Sequence, residues 1–559
     1  MSKKIANDSL IIGIDSGTSI VKAVAFNLSG QQIAIAEVRN KYHSNHQGHA
    51  EQSMLQTWSD CIDVLKNLSS KVDRLANRTV AVSVTAQGDG TWLVGKDDVP
   101  IGDAWIWLDA RSAGTVTSLT QKKSERCRFE NTGTGLNTCQ QGVQMAHMHQ
   151  WYPERLKHAE VTLHCKDWLY LKLTGVRATD PSEASFTFGN FRTRLYDDQV
   201  IDSLGLSQYK HLLPDIIDGT QLLHPLTNEA AKSSGLLAGT PVCLGYVDMA
   251  MTALGGGVYA GNSGVKPSNS TACSIIGSTG VHLWAKNTDS VYLNQQGTGY
   301  IIPLPIPDIV TQVQTNMASA LNIDWILNLA ADLLSENGQP IAHSELITRI
   351  DGWLAKSTAG GLLYQPYISE AGERGPFVNA HARASFIGLS SQHRFADMVR
   401  SVLEGLALAT RDCYQAMGAL PQELIISGGA ARSNSLQNII ASTINAPVRM
   451  STREEAGAAG AAMMAAVAIG AYSSMDECIK HWVTPFLAPA VLPTPSLNDT
   501  YEKLYPLYQD AHHALTPLWS NLSQCRNQTT IKTPLDGTDK NNKQGPLQQP
   551  TPPVKGIDK

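Results

Sequence analysis

The pattern that most constrains the fold is a strand, a turn of small residues and a second strand, which occurs near the start of the chain and again near its middle. The segment IIGIDSGTSIVKAVAFNLSGQQIAIAEV alternates apolar runs with Ser/Gly/Thr and Asn/Gly turns, which predicts three consecutive antiparallel strands. The segment TACSIIGSTGVHLWAKN, which begins at Thr271, repeats the first two strands and the small turn. Two such beginnings predict an internally duplicated α/β fold.

The length of 559 residues supports more than one domain, because a single hydrophobic core rarely extends beyond about 300 residues. We expect an N-terminal domain over residues 1–262, a C-terminal domain over 263–523 and a disordered tail over 524–559. The tail is polar, Pro-rich and nearly free of large apolar residues, so it buries too little surface to offset the entropy of ordering.

Charge and cysteine content argue against several classes of partner. The net charge is −5 and no long basic run is present, so neither nucleic acid nor an anionic membrane is expected as a partner. The nine cysteines form no CxxC pair, which indicates neither a disulfide framework nor a zinc site. The first residues lack the apolar run of a signal peptide, and the weakly apolar stretch 457–471 is too short to cross a bilayer. We expect a cytoplasmic protein, and the sequence leaves a homodimer open.

Further elements follow from apolar spacing and turn residues. Residues Met54–Leu68 have helical spacing, Thr79–Val84 reads as a buried strand, and Phe395–Met417 reads as a long helix before a strand at Leu424–Ile426. The segment TWLVGKDDVPIGDAWIWLD, which begins at Thr91, predicts a hairpin with the charged KDD at its tip.

The first small turn is a candidate phosphate site. Small residues after Asp15 let backbone amides approach phosphate oxygens, Thr18 and Ser19 add hydroxyl donors, and Lys22 adds a positive charge. Asp15 lies at a strand end, where a carboxylate holds Mg²⁺ through water. The alternative is an ordinary hairpin turn.

Two other small turns are weaker candidates. The turn at Gly277 and Ser278 matches the first one and could clamp a phosphate chain from the other side, although a structural hairpin is the alternative. The turn SGGA, which contains Gly429, lies between a strand and a helix. Paired glycines there allow a ligand ring or a phosphate to approach, and they equally allow close packing of strand and helix.

Asp248 follows an apolar strand and heads an Ala/Met-rich helix. A carboxylate in this position is either a helix cap or a base that accepts the proton of a substrate hydroxyl during phosphoryl transfer.

In their order along the chain, these motifs resemble the FGGY carbohydrate kinases. Those proteins have two actin-like ATPase (ribonuclease H-like) domains with a cleft between them. The resemblance covers roughly residues 10–485 and includes the segments GHAEQSMLQTW, KDWLYLKLTG, ATDPSEAS, SGGAARSNSLQNIIAST and EEAGAAGAAMMAA. It implies an ATP-dependent kinase for a small polyol or sugar, with the acceptor mainly on the first domain and the nucleotide mainly on the second.

The resemblance also implies roles for individual residues, with ATP and Mg²⁺ as cofactors. Asp248 corresponds to the catalytic base, which also contacts the acceptor, and Asp15 corresponds to the carboxylate associated with Mg²⁺. The residues that correspond to phosphate and adenine contacts are Thr18, Ser19, Lys22, Gly277, Ser278, Gly429 and Ser433. The residues that correspond to polyol contacts are Gln87, Gly88, Asp89, Trp107, Asn137 and Gln140.

One difference from glycerol kinases, a neighbouring group of the family, narrows the choice of acceptor. Glycerol kinases have an Arg-Glu pair in the place of Gly88 and Asp89, so glycine removes a large donor and is expected to open room for a longer polyol or ketose. Segments such as TAQGDGTWLV and DPSEASFTFGNFRTR most resemble family members that act on erythritol. The alternatives are L-xylulose, xylulose or another pentose or pentitol, and, from another class, an actin- or Hsp70-like ATPase that phosphorylates no small molecule.

Overall fold

The computed structural model describes residues 5–45, 47–259 and 271–530, with side chains as far as residue 526. The predicted boundary between the domains, at 262/263, lies outside these residues. The predicted disordered tail lies outside them from residue 531 onward, and its first residues, 524–530, belong to the last helix.

The N-terminal half is built on a six-stranded sheet in the order β14-β15-β6-β1-β2-β3. Its strands, with those of the smaller sheets, are β1 (Leu10–Ser16), β2 (Ile20–Asn27), β3 (Gln32–Arg39), β4 (His43–Ser44), β5 (Ala50–Gln52), β6 (Thr79–Ala86), β7 (Trp92–Val94), β8 (Ala104–Trp105), β9 (Val161–Leu163), β10 (Ala178–Thr179), β11 (Gly189–Asn190), β12 (Leu195–Tyr196), β13 (Asp215–Ile216), β14 (His224–Pro225) and β15 (Pro241–Leu244). The helices are α1 (Met54–Lys71), α2 (Leu75–Arg78), α3 (Ala113–Thr120), α4 (Glu125–Thr132), α5 (Gln141–Trp151), α6 (Pro153–His158), α7 (Cys165–Thr174), α8 (Pro181–Phe188), α9 (Asp198–Ser203), α10 (Asn228–Ser234) and α11 (Asp248–Gly256).

The C-terminal half has its own six-stranded sheet, in the order β18-β19-β17-β16-β22-β23. Its strands and those of a two-stranded sheet are β16 (Thr271–Ile276), β17 (Gly280–Asn287), β18 (Tyr300–Pro303), β19 (Ile309–Asn316), β20 (Leu363–Gln365), β21 (Ser385–Ile387), β22 (Glu423–Ser427) and β23 (Val448–Met450). The helices are α12 (Ala320–Glu336), α13 (His343–Thr348), α14 (Ile350–Leu354), α15 (Phe395–Ala416), α16 (Asn434–Ile444), α17 (Ala456–Ala468), α18 (Met475–Trp482) and α19 (Pro495–Thr530).

The two large sheets repeat one topology. In the first, β1 pairs antiparallel with β2 and parallel with β6, and β6 continues parallel to β15. In the second, β16 pairs antiparallel with β17 and parallel with β22, and β22 continues parallel to β23. The duplicated α/β architecture predicted from the two hairpin patterns is therefore confirmed.

The two halves meet along a pair of closely packed helices, α11 and α17. A Cβ atom on Gly255 would lie 2.1 Å from the carbonyl oxygen of Ala456, and one on Gly460 would lie 2.1 Å from that of Met251. Glycine at these points lets the two backbones touch. A buried apolar cluster from both halves surrounds this crossing, and its members include Val247. The helix crossing fixes the N-terminal ends of α11 and α17 relative to each other.

The hairpin predicted after Thr91 is present in part, since backbone hydrogen bonds join Thr91 with Trp105 in both directions and Ile101 with Leu93. In addition, β7 pairs with β9, a strand nearly seventy residues further along the chain, which was not predicted. Isolated bridges, Thr91 with Trp105 and Val94 with Pro100, are the traces of the predicted hairpin pairing.

Within the described residues, no helix is both long and apolar enough to cross a membrane. No disulfide joins the cysteines in that part of the chain.

Candidate active site

Asp15 lies at the end of β1 and faces the beginning of α17. A Cβ atom on Gly457 would lie 2.4 Å from Oδ2 of Asp15, so only glycine leaves space for this carboxylate. Burial, and next the charge of Glu455, raise the pKa of Asp15 to about 6. The predicted Mg²⁺-associated carboxylate is thus enclosed between the two halves of the molecule.

Lys22 connects the same place to the C-terminal half. Its Nζ donates to both carboxylate oxygens of Glu455 at 3.0 Å and lies 3.5 Å from Oε1 of Glu37. Burial alone would lower the pKa of Lys22, but the bonds with Glu455 raise it overall. The positive charge predicted for the first phosphate loop is therefore present beside Asp15.

The hydroxyl group of Thr18 makes its hydrogen bonds within the N-terminal half. It donates to Oε1 of Gln87 at 2.8 Å and accepts from Nε1 of Trp107 at 2.7 Å, while Nε2 of Gln87 donates to Gln52 at 2.7 Å. Ser19 is exposed at the top of the turn. This chain brings the predicted phosphate loop into contact with Gln87 and Trp107, two of the predicted polyol contacts.

Asp248 is the first residue of α11, at the end of the loop after β15. Its Oδ1 accepts from the backbone N–H of Met249 at 2.7 Å, and the N–H of Gly88 also donates to its carboxylate. Burial, then the charges of Asp15 and Asp89, raise its pKa to about 7. The structure therefore brings three predicted residues, Asp15, Gly88 and Asp248, to one place.

The space beside Gly88 is filled, so the expectation that glycine opens room there is wrong. A Cβ atom on Gly88 would lie 2.5 Å from Cγ2 of Val247, 3.4 Å from Oε1 of Glu183 and 3.9 Å from Oδ1 of Asp248. Two carboxylates and an apolar side chain thus surround the position from which an arginine side chain would leave the backbone.

The other predicted polyol residues differ in how they are held. Asp89 is buried at positive φ, and its Oδ2 accepts from the thiol of Cys139 at 3.2 Å. Asn137 donates to the hydroxyl of Tyr300 at 2.9 Å, which joins the two halves, and Gln140 donates to the carbonyl of Gly135 at 3.0 Å. Burial raises the pKa of Asp89.

A cavity of about 510 Å³ in the C-terminal half is lined by all four predicted residues of that half, Gly277, Ser278, Gly429 and Ser433. Gly429 faces open space, since no atom of the described part of the chain lies within 4 Å of a Cβ placed on it. The remaining walls come from α12 to α16 and were not predicted; they include Ile323, Asp324, Ile347, Ile350, Asp351, Leu403 and Leu436. The cavity is mostly apolar with a few polar groups, as small-molecule sites usually are.

Sequence reasoning missed four residues near Asp15 and Gly88. Glu455 and Gly457 lie in the segment EEAGAAGAAMMAA. Glu183 lies in ATDPSEAS, and His164 lies two residues before KDWLY. These three segments carry the family resemblance, but no local signal predicts a contact for these side chains. A usable signal for Glu183 is that it is the acidic residue of a helix whose other residues are all small, apolar or aromatic.

Within the described parts of the chain, no group of three or more His, Cys, Asp or Glu side chains has the arrangement of a metal site. The chemistry of Asp15 and its neighbours nevertheless fits Mg²⁺, which is usually bound by one or two carboxylates together with substrate phosphates. Raised pKa values at both Asp15 and Asp248 indicate carboxylates whose charge the surrounding protein leaves uncompensated.

Comparison with known proteins gives a consistent picture. Models of the N-terminal and C-terminal domains of the FGGY family of carbohydrate kinases match residues 10–255 and 272–469. The erythritol kinase of Brucella abortus (strain 2308) is 61% identical over 94% of this chain and 99% of its own length. The L-xylulose/3-keto-L-gulonate kinase of Escherichia coli (strain K12) is 24% identical over 90% of this chain and 97% of its own.

Solved structures of the same architecture superpose on most of the chain. A ligand-bound xylulose kinase from Lactobacillus acidophilus has a TM-score of 0.81 at 21% identity, over 92% of this chain and all of that one (100%). A glycerol kinase from Plasmodium falciparum with ADP has a TM-score of 0.76 at 16% identity, over 91% of this chain and 98% of that one. These likenesses concern the two-domain fold.

Proposed function

The chain belongs to the FGGY family of carbohydrate kinases and is an ATP-dependent polyol kinase, and we propose that it transfers the γ-phosphoryl group of ATP to a terminal hydroxyl of erythritol. The observation that carries the choice of erythritol is the high identity with the erythritol kinase of Brucella abortus, which extends over nearly the whole of both chains. The xylulose kinases are more distant relatives by the same measure.

In this proposal Asp248 is the general base. Its carboxylate is held by two backbone N–H groups, from Met249 and Gly88, and it lies beside the Gln87–Asp89 loop. A base with a pKa near the working pH is well suited to accept the proton of the attacking hydroxyl as that oxygen approaches the γ-phosphorus. Thr18 is hydrogen-bonded to both Gln87 and Trp107. These three side chains give the acceptor a fixed polar wall.

The phosphate chain is assigned to the two small hairpin turns and to Lys22. Backbone amides around Ser19, and Gly277 with Ser278, donate to phosphate oxygens, while Lys22 supplies positive charge. Asp15 would hold Mg²⁺ together with the phosphates, and the ion when bound neutralises charge on the transferred group. That the two turns face each other across the nucleotide stays a prediction.

Adenosine is assigned to the cavity of about 510 Å³. The open space over Gly429 lets a flat ring approach the backbone. Apolar walls such as Ile323 and Leu436 suit the faces of a purine ring. Asp351, whose Oδ1 accepts a hydrogen bond from Ser435, and Asp324 are the acceptors available to ribose or amino hydrogens. Ser433 caps α16 by accepting from Leu436 N–H at 3.2 Å, so its contribution to nucleotide binding is through the turn that it ends. The reaction is proposed for the cytoplasm.

The test is an assay of ADP release with erythritol, glycerol, ribitol, xylulose and L-xylulose as acceptors. We expect the highest kcat/KM with erythritol and one phosphate ester on a terminal carbon, identified by NMR of the product. A higher kcat/KM with xylulose or L-xylulose overturns the choice of acceptor but keeps the kinase. ATP hydrolysis that is independent of every acceptor favours instead an actin- or Hsp70-like ATPase.

A further inference from the structure

A cluster of charged side chains is buried directly behind Gly88. It contains His164, Lys166 and Asp167 from α7 and its cap, together with Asp180 and Glu183 from α8 and its cap, and each is at most 4% exposed. Burying this many charges is unfavourable unless each one has a partner. Which groups are paired therefore shows which ones serve another purpose.

Lys166 accounts for two of the carboxylates. Its Nζ lies 2.5 Å from Oδ1 of Asp167 and 2.5 Å from Oδ2 of Asp180. Asp180 also caps α8 by accepting from Ser182 N–H at 2.8 Å, and Asp167 accepts from His164 N–H at 3.0 Å. These groups hold α7 and α8 together, which is a structural role.

Glu183 is the carboxylate of this cluster for which the structure gives no ion pair with Lys166. Among the described residues, neither of its carboxylate oxygens has a hydrogen-bond partner, and the same is true of Nε2 of His164, of Oδ1 of Asp89 and of Oδ2 of Asp180, which has only its ion pair with Lys166. Oε2 of Glu183 lies 3.4 Å from His164 Nε2, but without the geometry of a hydrogen bond. Burial is the main cause of the strongly raised pKa of Glu183, and Lys166 offsets only part of it.

These unpartnered atoms adjoin the acceptor loop. The position of a Cβ on Gly88 lies 3.4 Å from Oε1 of Glu183 and 3.9 Å from Oδ1 of Asp248, so the two carboxylates flank the same point. Asp89 is the next residue in that loop. A hydroxyl-rich molecule bound beside Asp248 would reach the atoms that lack partners by taking the place that the Val247 methyl group fills in this structure.

We propose that Glu183 and His164 extend the acceptor site beyond Asp89, which the family resemblance already gives as a polyol contact, and that the three bind the hydroxyl groups remote from the phosphorylated one and select alditols over ketoses. This inference rests on the proposed function. The chemistry follows from what these atoms offer. Nδ1 of His164 lies 3.2 Å from Oδ2 of Asp167, so Nε2 is the ring nitrogen that faces Glu183, at 3.4 Å from its Oε2.

The carboxyl groups add to the same preference. Glu183 and Asp89 present three unpartnered oxygens and hold at most one proton each, so at least one oxygen always needs a donor. Every carbon of an alditol carries a hydroxyl that donates. A ketose replaces one of these by a carbonyl, which only accepts, and a buried acceptor left without a donor disfavours binding.

The experiment combines a side-chain change with a change of acceptor. Glu183→Gln keeps the shape but replaces one oxygen, which accepts when the carboxyl is ionised and donates when it is protonated, by an NH₂ group that only donates. Wild type and variant are assayed with erythritol, with the ketose erythrulose, and with both enantiomers of butane-1,2,4-triol, which lacks one interior hydroxyl. In wild type we expect loss of that hydroxyl to lower kcat/KM about ten- to a hundredfold, mainly through KM.

In Glu183→Gln the same loss is expected to be several-fold smaller, and the preference for erythritol over erythrulose is expected to fall at least about tenfold. Asp89→Asn tests the other carboxylate, and asparagine tolerates the positive φ of this position. Glu404→Gln is the matched control, because Glu404 is also a buried glutamate but is partnered by Tyr501 and Gly360 N–H in the C-terminal half. It is expected to leave the acceptor preference unchanged.

If both Glu183→Gln and Asp89→Asn fold, bind ATP and lower kcat/KM for all acceptors by the same factor, the cluster is structural and the inference is overturned. If Glu183→Gln fails to fold, Asp89→Asn and the wild-type penalty for the missing hydroxyl decide the question: no selective effect in either one overturns it. If the wild type phosphorylates no polyol, the proposed function itself fails, which is a different result.

Discussion

Replacing Asp248 by asparagine is expected to stabilise the protein while it removes kinase activity. Burial, and next the charge of Asp15, raise the pKa of Asp248 from 3.8 to about 7. The folded protein therefore holds a proton that the unfolded chain releases. This carboxyl group contributes its full stability below the unfolded pKa, and that contribution is lost as the pH rises through about 7. Asparagine is neutral at every pH and avoids the loss.

The pKa values set the size of this effect. Each unit corresponds to about 1.4 kcal/mol, so a rise from 3.8 to about 7 corresponds to at most about 4 kcal/mol. Asp248 is only half-buried, and water screens part of the interaction. We expect the free energy of unfolding of the variant, relative to wild type, to increase by about 1–3 kcal/mol between about pH 4.5 and about pH 8. The N–H of Met249 keeps a side-chain oxygen as its acceptor.

The assay compares apparent urea and thermal unfolding midpoints of the two proteins at both pH values, without nucleotide. Asp332→Asn, which removes an exposed carboxylate on α12, controls for the loss of one formal charge. In an ADP-release assay with erythritol the Asp248→Asn variant should bind ATP normally and turn over about 10²–10⁴-fold more slowly. A stability difference that does not change with pH refutes the electrostatic reasoning, and near-normal turnover refutes the role as base.

Two further results are expected. The kcat/KM of the wild-type enzyme for erythritol should fall as the pH drops below about 7, since Asp248 accepts a proton only when ionised; a flat profile from about pH 5 to about pH 8 contradicts this. Gly457→Ala should lower kcat at least about tenfold, because its Cβ would lie 2.4 Å from Oδ2 of Asp15, whereas Gly114→Ala, with no atom within 4 Å, should retain activity. Equal activity of the two alanine variants would show that the position of Asp15 does not limit the reaction.

The sequence predicted the elements that local pattern determines. The hairpin of β1 and β2, its counterpart of β16 and β17, and the helices α1 and α15 all follow from apolar spacing and turn residues within short segments. The position of Asp248 at the start of α11 follows in the same way, since a strand, a loop and a helix are contiguous in the chain.

The local sequence pattern does not show which distant segments pair with each other. The pairing of β7 with β9 was missed because strand partners are chosen by tertiary packing, which a segment of three residues does not specify. Lys22 and Glu455 are 433 positions apart, and they meet only because glycines let α11 and α17 cross in contact. Gly88 was misread for the same reason: the atoms that fill its surroundings belong to Glu183 and Val247.

The site concentrates negative charge where a polyanion is expected to bind, and this has a functional consequence. The charge of Glu455 raises the pKa of Asp15, and the charge of Asp15 raises that of Asp248, while Lys22, which donates to Glu455, lowers the pKa of Asp15. An added positive charge beside Asp15 lowers the pKa of both aspartates, and it must also offset the repulsion by which ionised Asp15 raises the pKa of Asp248. The cations that accompany a nucleotide are therefore expected to increase the ionised fraction of Asp248, the proposed general base, near neutral pH. Because the ionised carboxylate is the form that accepts the proton of the attacking hydroxyl, arrival of the nucleotide then favours the active form of the site, whereas without nucleotide a larger fraction of Asp248 stays protonated.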